Sequence, residues 1–522
     1  MNLVIKITVL FLISFFSTCS LAERNNTCDP LTKSFRETYA LKLVIGGISN
    51  FCGVSVGSDI LGNAQWARTF SAASNLSRIL SISTDSMGNI FGAGVIFGNS
   101  PFTLSSSVQL TGPSSLSTNA YIVKYTRNGE VLWAKTLVSG TNGTIFNGIV
   151  LDNSGNIYAV GTTENNGIYS FGNGVFVNGP STENILLVKF NQEGTAQWAK
   201  SLQAGPNISN FSSIAIDPSG NIIASGYLSG TGTYIFENGI STTVTYSGLN
   251  ALLVKYDPSG NVQWVKTAQS GNDESVFNSV QTDSSGNIYV VGRISGTNSF
   301  EFGNSVSAAG KFSNQNSMIV KYNASGEAQW ARSVVETADR STFSSVAVDY
   351  FGNAYAGGLI KGIGKVSFGN AVSTMGTSDL NNIAIVKYDL NGNPLWARST
   401  SSGSDASIIN QIFLDARLNV YAIGSITGTN PYSFGEGIQV SAPSTDSNAL
   451  LIRYNSTGNP QWVRSIFSGG NASRYLTAAI NMDGNLYTAG AIFGNEMRSF
   501  GNGVEVQGSF PSGTNSILVQ YK

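Results

Sequence analysis

Val262-Gln263-Trp264-Val265-Lys266 decides the fold, because the same frame returns around the chain. It stands again as Ala196-Gln197-Trp198-Ala199-Lys200, and all seven tryptophans fall into it: Trp66, Trp133, Trp198, Trp264, Trp330, Trp396 and Trp462. Their successive spacings are 67, 65, 66, 66, 66 and 66 residues, so one unit of about 66 residues recurs along the sequence. A basic residue lies two places after each tryptophan, as Arg68, Lys135, Lys200, Lys266, Arg332, Arg398 and Arg464. A period of two puts both on one face of a strand, where the cation can lie near the indole.

Outward from Trp264, the next unit spells out its own strands. Phe277 to Thr282 alternate as a first strand, Asp283-Ser284-Ser285-Gly286-Asn287 turn the chain, and Ile288 to Arg293 form a second. A long Gly-rich polar connection leads to a third strand, Ser317 to Tyr322. Asn323-Ala324-Ser325-Gly326 turns again into a fourth, Ala328 to Val334, which carries Trp330. Four antiparallel strands per unit, repeated radially, make the blade of a β-propeller. The first unit opens with only its Trp strand, Ala64 to Phe70, and the sequence finishes on Ser516 to Tyr521, a third strand without its Trp partner. The expectation is an all-β, single closed seven-bladed propeller over residues 58–522, its N-terminal strand completing the last blade and removing exposed edges. An open solenoid is the alternative, and the complementary half-units weigh against it.

The units Val254-Lys255-Tyr256-Asp257-Pro258-Ser259-Gly260 and Asp283 to Gly292 resemble the bacterial seven-bladed β-propeller repeats called SBBP repeats, over about residues 58 to 522. The resemblance implies an exported or surface-associated protein and assigns no activity.

The N-terminus agrees with export. Lys6 precedes an apolar stretch, Ile7 to Phe16, too short to span a bilayer. Two processing sites compete: Ser20-Leu21-Ala22 before Glu23 fits ordinary signal peptidase, giving a signal peptide over 1–22. Phe16-Ser17-Thr18-Cys19 resembles a lipobox, giving a lipoprotein signal over 1–18 and lipidation at Cys19. Cys28 and Cys52 then remain in segment 23–57 and pair as a disulfide in an oxidising compartment, around a short helix expected within Leu31 to Ile45; two free thiols are the alternative. Localisation is thus expected to be secreted or on the outer cell envelope, with a possible lipid anchor, no transmembrane helix in the mature chain, and a monomeric state.

Composition narrows the chemistry. Lys plus Arg is 29 against 30 Asp plus Glu, so no basic surplus exists to neutralise nucleic acid. The chain holds no histidine, which removes His-based triads and imidazole metal sites. No cofactor and no metal are expected. The Asp-x-x-Gly-Asn turns read as turns before they read as calcium sites, because Asp and Asn stabilise tight turns with their own side chains. Asp257 to Trp264 looks something like the Asp-box turn of sialidases with a different Asp-to-Trp spacing, a structural device even there. Gly92-Ala93-Gly94 lacks the following helix that a nucleotide loop needs.

Short turns crowd one rim of the expected disc and connections of about twenty residues the other, so the long-loop rim is the expected working surface. Its loops repeat Phe171-Gly172-Asn173-Gly174-Val175 at Phe302, Phe368 and Phe500, and more loosely at Phe236 and Phe434, as small hairpin flaps. That phenylalanine is read as packed beneath its loop. Tyr169, Tyr234 and Tyr432 break the repeat and are the candidate ligand contacts, against ordinary loop packing. The ring Lys124, Lys189, Lys255, Lys321, Lys387, Arg453 and Gln520 reads as blade architecture. The functional expectation is a non-catalytic propeller binding protein or carbohydrate through that rim. An envelope assembly component is the alternative, and a carboxylate-dependent glycoside hydrolase is third.

Overall fold

A computed structural model describes residues 60–522 apart from Thr141 and Ala338, together with the backbone of two short paired strands, Asn50–Phe51 and Val54–Ser55. The processing sites, Cys19, Cys28, Cys52 and the expected helix lie outside the described residues. The chain divides into two units, residues 1–56 and 57–522, and the propeller belongs to the second.

Seven four-stranded antiparallel sheets follow one another. In the fourth blade the strands, from inner to outer, are Ser275–Thr282, Ile288–Ser295, Gln315–Tyr322 and Ala328–Ser333. The seventh blade consists of Ser473–Ile480, Leu486–Phe493 and Thr514–Tyr521, and Ala64–Thr69 pairs with the last of these, Trp66 opposite Gln520. Asn63 and Lys522 exchange backbone hydrogen bonds at 3.0 and 2.9 Å, so the turn before the outer strand is here assembled from both ends of the propeller. The expected closure is borne out. The 3-10 turn Glu237–Gly239 is the only helical element among the described residues.

The core lies between blades. One cluster joins Ala215, Ile223 and Leu253 of the third blade to Phe277, Val280 and Val290 of the fourth. Another joins Tyr487, Ala489 and Leu518 of the seventh to Phe70, Ile79 and Ile90, ahead of and within the first. Second and third strands are therefore buried on both faces, which explains their continuous apolar runs, such as Ile288 to Val291.

Outer edges are joined by tryptophan. Each indole packs on the positive-φ glycine of the next blade's turn: Trp264 on Gly326, Trp330 on Gly392, and Trp462 on Gly62 of the assembled turn. A Cβ on Gly326 would sit 2.9 Å from the Trp264 ring, so glycine is required by conformation and by contact. In five blades the basic residue two places on lies over the indole, as Arg332 does at 5.6 Å from the Trp330 ring, and Arg332 Nε donates to the Gly392 carbonyl at 2.9 Å.

Inner strands depart from the simple alternation expected. Each contains a β-bulge, in the fourth blade between Phe277 and Ser279, which turns Asn278 toward the axis. The glycine opposite, Gly292, faces the Val276 carbonyl oxygen so closely that a Cβ would collide with it. Gly94 faces Arg78 in the same way, so the Gly-x-Gly stretches are bulge partners.

Candidate functional site

Three regions carry exposed chemistry: the long-loop rim, the short-turn rim and the axial channel.

The long-loop rim is built on buried amides and hydroxyls that sequence reading missed. The second residue of every third strand is an asparagine, buried in each case. Asn316 Oδ1 accepts from Lys311 and Phe312 N–H, while Nδ2 donates to the carbonyls of Gly296, Phe312 and Asn314. One side chain thus fixes both ends of the long connection. The first residue of every inner strand is Ser or Thr, and its hydroxyl accepts a backbone N–H from the preceding blade, as Ser209 does from Ile185 at 2.9 Å and Ser77 from Ser516 at 2.9 Å.

Each long connection folds into a two-stranded flap, Gly167–Gly172 with Val175–Gly179 in the second blade, as the hairpin signal predicted. The loop preceding the blade bridges to it, Ser139 to Ser170. Flap phenylalanines are buried beneath it, as expected. Tyr169, Tyr234 and Tyr432 share that fate, which corrects their reading as ligand contacts. They are 0%, 0% and 1% exposed, and their hydroxyls donate to the carbonyls of Glu164, Ser229 and Thr427, each five residues earlier. They lie two residues before the flap phenylalanine, on the same inward face of the hairpin.

In the seventh blade that position is Arg498, fully buried. Its Nη2 donates to the Phe493 carbonyl at 2.9 Å, again five residues earlier, and Nη1 pairs with Glu496 at 3.1 Å. Nε finds no acceptor among the described residues. A backbone hydrogen bond from Gly470 and the Arg498 guanidinium hold the Glu496 carboxyl below its usual range. The arginine therefore plays the tyrosine's part.

The rim exposes aliphatic and phenyl surface. Ile168 and Phe176 stand on the outer face of the second blade's flap, 65% and 59% exposed, and Val138, 67% exposed, stands on the preceding loop, where its backbone N–H donates to the Ser170 carbonyl. The fifth blade's rim also exposes apolar side chains, Val335 at the place of Val138, with Ile363 and Met375 at other positions of its flap.

On the short-turn rim the aspartates are engaged in their turns. Asp283 Oδ1 accepts from Ser285 and Asn287 N–H at 2.9 Å, and Oδ2 from Asn287 Nδ2 and the Tyr289 hydroxyl. Burial and the neighbouring Asp283 push the Tyr289 hydroxyl well above its usual range. Lys321 Nζ lies 5.0 Å from the Tyr289 ring and donates to the Leu390 carbonyl of the next blade. The lysine ring is thus blade architecture, as read. In the third blade Ile223 replaces the tyrosine, and Lys255 reaches Asp217 directly at 2.8 Å, both side chains buried. Burial alone would raise the Asp217 carboxyl; hydrogen bonds from Lys255 and Asn221 outweigh it and hold it below the usual range. The seventh blade has neutral Asn481 and Gln520 at the two equivalent places.

The channel holds a cavity of about 510 Å³ lined by the second halves of the inner strands, the halves that lead into the short turns. Among the described residues its lining contains amides, hydroxyls and apolar side chains and no ionisable group.

No protein-family model matches the chain. An uncharacterised WD repeat-containing protein of Acanthamoeba polyphaga mimivirus is 29% identical over 336 residues, covering 52% of this chain and 23% of that protein. The chain thus matches about a quarter of that relative's length. Among solved structures, virginiamycin B lyase from Staphylococcus aureus matches at TM-score 0.41 and 8% identity, covering 87% of this chain and 97% of that one. A polysaccharide lyase, Uly1, matches at TM-score 0.40 and 9% identity, covering 88% and 92%. A gluconolactonase from Xanthomonas campestris matches at TM-score 0.33 and 9% identity, covering 89% and 100%. Enzymes are thus among the structural neighbours, and at these scores they carry nothing about chemistry here. The class defined is a seven-bladed β-propeller; the likeness to the bacterial SBBP repeats stands on its motifs alone.

Proposed function

We propose that this chain is an exported, non-catalytic propeller that binds a protein partner through its long-loop rim. The observation that carries the reading is the exposed apolar surface of Ile168 and Phe176 on the flap and of Val138 on the preceding loop, the two segments pinned together by the Ser139–Ser170 bridge. Apolar side chains held in the open on a rigid hairpin suit a partner that buries them. Aliphatic surface favours protein over carbohydrate, which pairs better with exposed tyrosine and tryptophan. The mimivirus relative's WD repeats are in keeping with such a role. Export follows from the N-terminal pattern, with cleavage before Glu23 and lipidation of Cys19 as its two forms.

The test is capture on an array of matrix, plasma and envelope proteins. The mature protein is compared with a Val138→Ser/Ile168→Ser/Phe176→Ser variant and with Met87→Ser on the short-turn rim. Saturable binding lost in the triple variant and kept in Met87→Ser supports the reading. Equal binding by all three removes it, and no capture on any protein moves the weight to an assembly role. Mass spectrometry of the mature N-terminus decides between the two processing forms.

A further inference from the structure

We infer that the short-turn half of the axial channel is a second binding site, independent of the rim, for a neutral saccharide of one or two rings. Its volume of about 510 Å³ falls within the roughly 300–1,000 Å³ that small-molecule sites occupy. The bulges supply its polar wall. Asn147, Asn278 and Asn410 stand at the bulge positions of the second, fourth and sixth blades. Each uses one amide hydrogen to hold the next blade, on the carbonyls of Phe211, Phe343 and Tyr475 at 2.9, 2.8 and 2.7 Å. That bond fixes a cavity-lining side chain and leaves its amide oxygen without a hydrogen bond among the described residues, free to accept. Gln281 also lines the cavity, is exposed, and its side chain makes no hydrogen bond among the described residues. Where the first and seventh blades meet, the bulge residues are Leu80 and Leu476, so one side of the wall is apolar.

This lining selects by charge and by shape. A charged ligand would lose hydration and meet no counter-charge, because no ionisable side chain among the described residues lines the cavity. A purely apolar ligand would strip water from the amide oxygens and leave them unpaired. A pyranose has hydroxyls that donate to the amides, and its C–H edges can lie against Leu80 and Leu476, while the amides, not the leucines, carry the recognition. Neutral polyols therefore satisfy both walls.

Saturation-transfer NMR and titration calorimetry test the site with cellobiose, maltose, lactose and diacetylchitobiose, against glucuronic acid, glucosamine and an uncharged capped tetra-alanine. The expected result is saturable binding of at least one neutral disaccharide, with no binding of either charged sugar. Asn278→Leu and Gln281→Ala should each weaken it about threefold to tenfold, the net worth of one hydrogen bond. Leu132→Ser on an outer strand should leave it unchanged. The Gln281 side chain hydrogen-bonds to nothing among the described residues, so its variant reads the site even if Asn278→Leu unfolds the protein. The proposal is overturned by silence from all four disaccharides, by equal binding of a charged sugar, by an unchanged affinity in Gln281→Ala, or by tetra-alanine binding in their place.

Discussion

Lys255→Met should destabilise the protein strongly at neutral pH and much less in acid. Asp217 and Lys255 meet at 2.8 Å with side chains only 3% and 9% exposed, and Lys255 also donates to the Ala324 carbonyl. Removing one partner strands the other charge in a dry interface between the third and fourth blades, at a cost of about 3–5 kcal/mol. The sign with pH follows from the carboxylate. In the native protein its pKa lies below the unfolded value of 3.8, so its stabilising contribution is present above about pH 4 and lost as pH falls through the folded pKa. In the variant the cation is gone and burial dominates, so Asp217 takes up its proton at higher pH and the penalty shrinks on acidification. Asp217→Asn/Lys255→Gln should recover most of the loss, because the seventh blade already holds Asn481 and Gln520 at these places. Urea unfolding at pH 7 and pH 4.5, read by tryptophan fluorescence, gives the comparison. A penalty under about 1 kcal/mol at pH 7, or one equal at both pH values, would refute the argument.

Gly326→Ala should cost about 1–3 kcal/mol, since φ is +77° and the new methyl meets the Trp264 ring; thermal unfolding reads it directly. Ser209→Ala leaves the Ile185 N–H buried without its acceptor, an expected loss of about 1–3 kcal/mol by urea midpoint, while Ser209→Thr should be close to neutral. Arg498→Tyr is expected to be neutral or stabilising by about 1 kcal/mol, because tyrosine reaches the same carbonyl in three other flaps without an unpaired Nε; Arg498→Leu should be clearly less stable than either. Differential scanning calorimetry on the three proteins ranks them.

Sequence carried the architecture because tryptophan is large, rare and tied to one partner. Each of the seven occupies a groove that only a turn glycine leaves open, so the spacing of the indoles is the spacing of the blades. The residues that join blades elsewhere are hidden in plain composition. Ser209 and Asn316 are decisive, yet serine and asparagine are common in the loops of this chain, and nothing in type alone marks the buried ones. The bulge at Asn278 adds one residue without changing the apolar pattern, and so escapes a reading based on alternation. Its signal is the glycine opposite, whose recurrence as Gly94 and Gly292 has a steric cause. Tyr169 misleads for a similar reason: breaking the repeat suggests exposure, whereas parity with Phe171 already places it inward. Arg498 shares that parity with Phe500, and only alignment of the flaps reveals that a cation has taken an aromatic's seat.

The turn assembled from Asn63 and Lys522 has a consequence for biogenesis. Ala64–Thr69 is synthesised before every other strand of the ring, and its partner Thr514–Tyr521 after every other, so the earliest strand must wait for the whole propeller. Until then six sheets can form by local pairing while the ring stays open, the edge of Leu486–Phe493 remains bare and Ala64–Thr69 has no partner strand. A product cut short before Thr514 would keep that edge, and aggregation or proteolysis would remove it. Translation of the last eight-residue strand is thus also the event that makes the disc resistant.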